Sequence, residues 1–512
     1  MTTNNLKLHN KRKGKCDIGF LIYHTSIMMK TNKKAALNPY LPGYEYIPDG
    51  EPYVFGDRVY MFGSHDESHG TDFCLNDYVC WSADIDNLGN WRYEGVIYRK
   101  NQDPLNKNSE HYLYAPDVAV GQDGRYYLYY VLDQLCVISV SVCDTPAGQY
   151  EFYGHVHNKD KAGHETLFTE NIPYDPAVLV DDNGKVYLYY GFCPHFEIPW
   201  VDKSKIDGGM MVELHSDMVT VKNKPVKVLP SFKDSRGTDF YGHAYFEAPS
   251  IRKIKNMYYI VYSSENLHEL CYAVSPYPDK GFEYGGIIIS NGDIGYKGRM
   301  QEDSLNYIGN NHGGLVEING QWYVFYHRHT QATQFSRQGC AEPVTLDSHG
   351  HIEQVEMTSC GLNNGPLPAK GLYSAHIACN LVGPKGSCDL GRKTGLKVTE
   401  PHFTESDNLV AEFERIQYIA NIMSGTTIGY KYFFFDDSIK EIKLMLRGRG
   451  KGIVQLSTDE KCNEVIGSAS IDMDTMMWQP IEMSDIDIKG VTAFYIKFLG
   501  EGTIELESIE FI

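Results

Sequence analysis

The chain has 512 residues, 42% hydrophobic and 22% charged, a globular composition that excludes disorder over most of its length and points to two or three domains. Its 66 acidic against 47 basic residues leave a net charge of −19, which excludes nucleic acid as a partner, since phosphates require a basic face. A membrane partner is excluded as well, because no apolar run approaches the roughly 18 to 20 residues of a spanning helix.

Residues 1–34 carry eight Lys or Arg and one Asp, and the run Lys11-Arg12-Lys13-Gly14-Lys15 precedes an apolar stretch, Ile18 to Tyr23, that is too short for a signal-peptide core. This segment reads as a disordered tail or an over-extended start, with Met28 and Met29 as alternative beginnings. The 12 Cys are scattered, with no CxxC pair and no Cys/His zinc spacing. They read as reduced core thiols, and the expected compartment is the cytoplasm.

From residue 35 to 358 one pattern recurs five times. Its strongest part is an aromatic strand: Arg58-Val-Tyr-Met-Phe62, Arg125-Tyr-Tyr-Leu-Tyr-Tyr130, Lys185-Val-Tyr-Leu-Tyr-Tyr190, Met257-Tyr-Tyr-Ile-Val-Tyr262 and Gln321-Trp-Tyr-Val-Phe-Tyr326. The shared tyrosines Tyr60, Tyr127, Tyr187, Tyr259 and Tyr323 are 60 to 72 residues apart, room for four short strands each. Turn residues such as Gln122-Asp-Gly124, Asp182-Asn-Gly184 and Asn319-Gly320 precede most of these strands, as in hairpins. Five sheets of about four strands predict a five-bladed β-propeller.

A polar residue stands 10 to 12 positions before each anchor tyrosine: Asp49, Asp117, Asp175, Glu247 and His312. The first strand of every propeller blade lines the central channel, so four carboxylates and one imidazole are expected to converge there. One such residue alone would read as a turn-capping acid; five in phase read as a site. Aromatic residues expected on its rim are Tyr245, Phe246 and Trp81.

Residues 359–404, opening with the Gly/Pro/Asn-rich Cys360-Gly-Leu-Asn-Asn-Gly-Pro-Leu-Pro368, read as a linker and packing segment. Residues 405–512 alternate apolar and polar side chains in short runs and read as a jelly-roll-like β-sandwich. The fold class is therefore all-β.

Converging carboxylates in a channel suit glycosidic hydrolysis with inversion. One carboxylic acid protonates the leaving oxygen, and a carboxylate across the ring, roughly 6.5–9.5 Å away, activates water. A third carboxylate near the acid is expected to raise its pKa by like-charge repulsion.

The string Ile47-Pro-Asp-Gly-Glu-Pro52, followed by His65-Asp-Glu67, Asp175-Pro-Ala-Val178, Glu247-Ala-Pro249 and Asn310-Asn-His-Gly-Gly314, resembles family 43 of the glycoside hydrolases. These are inverting enzymes on a five-bladed propeller, mostly α-L-arabinofuranosidases, β-xylosidases and arabinanases. The resemblance implies Asp49 as general base, Asp175 as the residue that tunes and orients, and Glu247 as general acid. Glu51, which precedes Pro52, is the alternative base. The resemblance further implies substrate contacts for Asp66, Asp117, His312 and Arg328, and a calcium ion held at His312. Residues 405–512 resemble the family 6 carbohydrate-binding modules through Gly429-Tyr-Lys-Tyr-Phe433, Arg447-Gly-Arg-Gly-Lys-Gly452 and Trp478. The expected activity is release of a terminal pentose, α-L-arabinofuranose first, from plant-derived oligosaccharides or polysaccharides. The alternatives are a β-xylosidase, a β-galactofuranosidase and a catalytically silent sugar-binding propeller.

Overall fold

The computed structural model describes residues 34–387, 399–406, 416–436 and 439–512. The basic segment read as a tail lies outside the described residues, except Lys34. Five antiparallel sheets follow one another along the chain, and each runs in simple sequence order from its first strand to its last. Blade one comprises Glu51–Phe55, Arg58–Phe62, Tyr78–Asp84 and Arg92–Tyr98; blade four comprises Tyr245–Ile254, Met257–Ser264, Glu269–Ser275 and Glu283–Ser290. Blades two and three are likewise four-stranded, beginning at Leu113–Val120 and Ala177–Val180. Blade five has three strands, Leu315–Ile318, Gln321–His329 and Arg337–Val344.

The recurring hairpins form where the turn chemistry allows them. Ile318 pairs with Gln321 across Asn319-Gly320, whose φ values of 51° and 81° are the left-handed pair that a two-residue hairpin turn requires. The anchor tyrosines all fall on second strands. Four of them, Tyr127, Tyr187, Tyr259 and Tyr323, are buried in wedges of apolar side chains, each wedge shared by two adjacent blades. Tyr60 packs at the edge of the wedge between blades one and two. The repeat exists for this reason: each second strand supplies a large ring to the seam with its neighbour, and each buried ring contributes about 2–3 kcal/mol.

The ring is closed by the N-terminal stretch. Asn38 donates its Nδ2 to Ala341 O and accepts from Ala341 N at its Oδ1, both at 2.9 Å, and Tyr40 N donates to Gly339 O at 3.3 Å. Residues 38–40 thus flank the last strand of blade five, while Gly50 bridges to Gly313 near the axis.

The C-terminal unit is one continuous curled sheet of nine strands around its own apolar core. It begins earlier than the sequence suggested. Leu367–Pro368, Gly371–Ser374 and Asn380–Val382, all within the presumed linker, are strands of this sheet. Its three longest strands, Glu441–Ser457, Val465–Ser484 and Gly490–Phe511, coil past one another. Gly452 and Gly500 permit a close approach, since a Cβ on either would stand 2.2 Å from a carbonyl oxygen of the facing strand. Every described cysteine is unpaired, and among the described residues no helix is long and apolar enough to cross a membrane.

Candidate active site

The first strands of the blades begin at one end of the channel and there leave their ladders abruptly. Asp49, Asp175 and Ala248 have φ values of 56°, 45° and 63°, and the register of strand Tyr245–Ile254 shifts on both sides of Glu247. Left-handed backbone at non-glycine residues costs about 1–3 kcal/mol each, and here it turns three carboxyl groups out of the sheets toward the axis. They open into a pocket of about 380 Å³.

Asp49, Asp175, Glu247, Asn310, His312, Gln334 and Arg337 form the polar part of this pocket. Arg337 donates from Nη1 to Asp49 Oδ1 at 2.9 Å and grips Asp66 through Nε and Nη2 at 2.8 and 2.9 Å. The backbone N–H of Asp49 donates to His327 Nδ1 at 3.4 Å, and His327 Nε2 lies 2.8 Å from Asn310 O. Since a carbonyl accepts only, the proton of His327 sits on Nε2 and Nδ1 is free to accept. Asp49 is thereby fixed from its backbone and from its carboxylate.

Glu247 is pushed up to about 8, first by burial, next by the charge of Asp49, with Arg337 opposing. Asp175 is also raised well above the carboxylate range, by burial and by Glu247 and Asp49; the N–H of Ala248 donates to its Oδ2 at 3.2 Å. Asp175 and Glu247 repel one another, so each carboxyl group raises the other, and burial and Asp49 add to the elevation of Glu247. Burial also lowers His312 to about 4, so its imidazole is neutral at neutral pH.

The walls are aromatic. Tyr174, Phe192 and Trp200 stack on one another with centroids 5.1–5.6 Å apart, Phe246 meets Phe192 edge-on, and Phe73 lies under the Arg337 guanidinium at 4.8 Å. A wall of ring faces over a polar floor matches a sugar, whose C–H face is apolar and whose hydroxyls lie around its edge.

Several residues expected in the pocket are elsewhere. Asp117 is fully buried and accepts from Tyr53 OH, Val118 N and Val178 N at 2.6–2.7 Å. It lies 10 residues before its tyrosine, whereas Asp175 and Glu247 lie 12 before theirs. Two residues along a strand keep the same face but move about 6.6 Å along it, so Ala115 takes the pocket position in blade two. Glu51 is displaced the same way: it pairs with Arg252 Nη2 at 2.6 Å and does not line the pocket. Asp66 is consumed by Arg337 and by Cys74 N, so it holds the arginine instead of touching the pocket. Arg328 is buried against the C-terminal unit, donating to His376 O and Ala378 O at 2.7 and 2.8 Å over the ring of Phe403. Trp81 donates to Glu45 in the seam between blades one and five, and Tyr245 is buried with its hydroxyl on Gly191 O; only Phe246 of the expected rim reaches the pocket.

Calcium takes six to eight oxygen ligands. His312 offers one nitrogen, and the carboxylate beside it, Asp49 at 3.9 Å, is already bonded to Arg337. A calcium ion at His312 would take its oxygen ligands from water. The described trio close enough to share an ion, His243, Glu269 and Cys271, lies outside the pocket, and its Glu269 already accepts from His243, Ser264 and Asn266.

Sequence reasoning missed Arg337 and most of the aromatic wall. A signal for part of the wall was present: Tyr114, Tyr174 and Phe246 all stand 13 residues before their anchor tyrosines, and all three line the pocket.

A five-bladed propeller whose channel mouth gathers two separately held carboxyl groups under aromatic rings has the architecture of a glycoside hydrolase. Residues 37–352 match the model of the glycosyl hydrolases family 43, and the chain belongs to that family. It is 49% identical over 483 residues to a xylosidase/arabinosidase of Thermoclostridium stercorarium, covering 93% of this chain and 98% of the relative. An arabinoxylan arabinofuranohydrolase of Paenibacillus polymyxa is 23% identical over 502 residues, 91% of this chain and 71% of the relative. The solved GH43_1 enzyme from Xanthomonas citri complexed with xylose shares 22% identity over 65% of this chain and 96% of its own, with a TM-score of 0.50.

Proposed function

We propose that the chain is an inverting, exo-acting pentosidase that releases terminal α-L-arabinofuranosyl groups from plant-derived oligosaccharides. The observation that carries this reading is the pairing of two buried carboxyl groups in opposite environments. Glu247 is held protonated near neutral pH, and Asp49 is ion-paired with Arg337. In this reading Glu247 gives its proton to the glycosidic oxygen as the bond to the anomeric carbon breaks. Water attacks that carbon from the opposite face and loses a proton to Asp49. The sugar leaves with inverted configuration, and solvent returns both carboxyl groups to their starting states. Asp175 orients Glu247 through the Ala248 backbone. His312, neutral and lining the pocket, faces the sugar hydroxyls. No step passes through a metal.

The name xylosidase/arabinosidase of the Thermoclostridium relative supports a second reading, β-xylosidase activity in the same pocket. A panel of nitrophenyl glycosides separates them: the arabinofuranoside is expected to turn over fastest. Faster cleavage of the xyloside exchanges the two readings, and a panel left wholly intact refutes the pentosidase. Proton NMR of the first-formed anomer tests inversion.

A further inference from the structure

The C-terminal sheet ends at strand His402–Glu405, all of whose residues are buried. The strand pairs with Gln417–Met423 and also meets the propeller, where Phe403 O accepts from Gln331 N at 2.8 Å. Thr404 donates from Oγ1 to Gln331 Oε1 at 2.7 Å. Gln331 Nε2 donates in turn to Tyr46 OH at 3.0 Å, and Tyr46 OH donates to Glu405 Oε2 at 3.2 Å. Ser68 Oγ donates to the other oxygen of Glu405. The strand therefore holds two propeller loops, residues 63–77 of blade one through Ser68 and residues 330–336 of blade five through Gln331.

These two loops build one wall of the pocket. Phe73 and Cys74 of the first, Gln334 of the second and Arg337 just after it all line the pocket. The loops also lock together: Ser336 Oγ donates to Glu67 O at 2.8 Å and accepts from Gly70 N at 3.2 Å, while Phe335 meets Phe73 edge-on at 4.7 Å. The second loop is bent against its own preference, because Gln331 and Ala332 have φ values of 56° and 50°. Consecutive non-glycine residues keep left-handed backbone only where their surroundings impose it. Here both the backbone and the side chain of Gln331 are fixed from the C-terminal unit.

We propose that strand His402–Glu405 is a strut of the active site, with Glu405 and Thr404 as positioning residues. Both lie outside the pocket. They hold the loops that aim Arg337 at Asp49, so the C-terminal unit serves the reaction by fixing the geometry of the pocket. The proposal rests on the glycosidase reading of the pocket, and its test has one readout that does not.

The experiment compares the full-length protein with Glu405→Ala, Glu405→Gln, Thr404→Val and Glu460→Gln, by hydrogen exchange and by kinetics on a nitrophenyl pentoside. In Glu405→Ala, the amides of residues 66–74 and 330–337 are expected to exchange about tenfold faster, and kcat/KM to fall about tenfold as Arg337 drifts from Asp49. The alkaline limb near pH 8 should move upward, because Arg337 opposes the elevation that burial, Asp49 and Asp175 give Glu247. A merely structural loss would leave that limb in place. Glu405→Gln still offers an acceptor to one hydroxyl and a donor to the other, so it keeps both readouts within about twofold of native. Glu460→Gln opens the Arg299 pair elsewhere in the same interface and should change neither. Thr404→Val removes one hydroxyl with little change of shape; it should give the same changes at about threefold, and it carries the test if Glu405→Ala does not fold. Unaltered exchange in both loops, unaltered kcat/KM in a variant whose loops exchange faster, or equal effects from Glu460→Gln would each overturn the proposal. If the native protein cleaves no pentoside, the pentosidase reading falls, and exchange alone decides whether the strut holds the wall.

Discussion

Replacing Glu247 by Gln keeps the shape of the side chain and removes its acidic proton. In the native pocket Glu247 is raised from 4.5 to about 8. At pH 7 about ten chains in eleven therefore carry the proton, whereas an unperturbed glutamate would hold it in fewer than about one in a hundred. General acid catalysis is worth about 10²–10⁴-fold, or roughly 3–5 kcal/mol of activation free energy. The variant should lose that factor on arabinoxylo-oligosaccharides, whose alkoxide leaving groups need the proton. It should lose much less on a dinitrophenyl glycoside, whose leaving group does not. The pH profile supplies an independent check. The active form is protonated, so kcat/KM of the native protein declines as pH rises through about 8, approaching tenfold per unit above it, and this limb is absent from the variant. Measuring kcat/KM for both substrates from about pH 5 to pH 10 decides the matter. Equal losses on the two substrates, or a limb near pH 8 that survives the substitution, would refute Glu247 as the acid.

Asp175→Asn should lower kcat and move the alkaline limb downward, because the two carboxyl groups repel one another and Glu247 ionises more readily once that charge is gone; a limb left in place would assign the elevation of Glu247 to burial and Asp49 alone. Arg337→Lys offers one ammonium where a guanidinium bonds Asp49 and Asp66 together, so kcat/KM should fall about 100-fold through misplacement of Asp49. Activity within experimental error of the native protein would show that Asp49 needs no such clamp. Glu51→Gln breaks a buried ion pair with Arg252 and should cost about 3–5 kcal/mol in denaturant unfolding, with turnover retained in the folded protein. Abolished turnover on both substrate types in a folded variant would instead make Glu51 the base.

The repeat was legible because it is local. A tyrosine every 60 to 72 residues marks a second strand, and counting back along one hairpin locates Asp49, Asp175, Glu247 and His312 at the pocket. Strand periodicity gives the face a side chain takes, and over one hairpin it also gives its height, to within a pair of residues. That margin is what misled at Asp117, one strand repeat too deep, level with Glu51 and beside the same arginine. Arg328 shows a second limit: a basic residue in an aromatic strand has no mark that distinguishes a channel from a domain interface, and Ala378 and Phe403, which claim it, belong to another unit.

The sequence by itself determined the five blades, the all-β C-terminal unit and the carboxyl groups that line the pocket, since each depends on spacing within one or two strands. Only the tertiary structure decided which groups act on one another. Arg337 reaches Asp49 across 288 residues, from the last strand of the ring to the first, and that distance closes only because residues 38–40 join blade five to blade one. The elevation of Glu247 likewise has no local cause: it arises from burial under rings contributed by several loops and from a charge on another blade, and neither exists until the propeller closes.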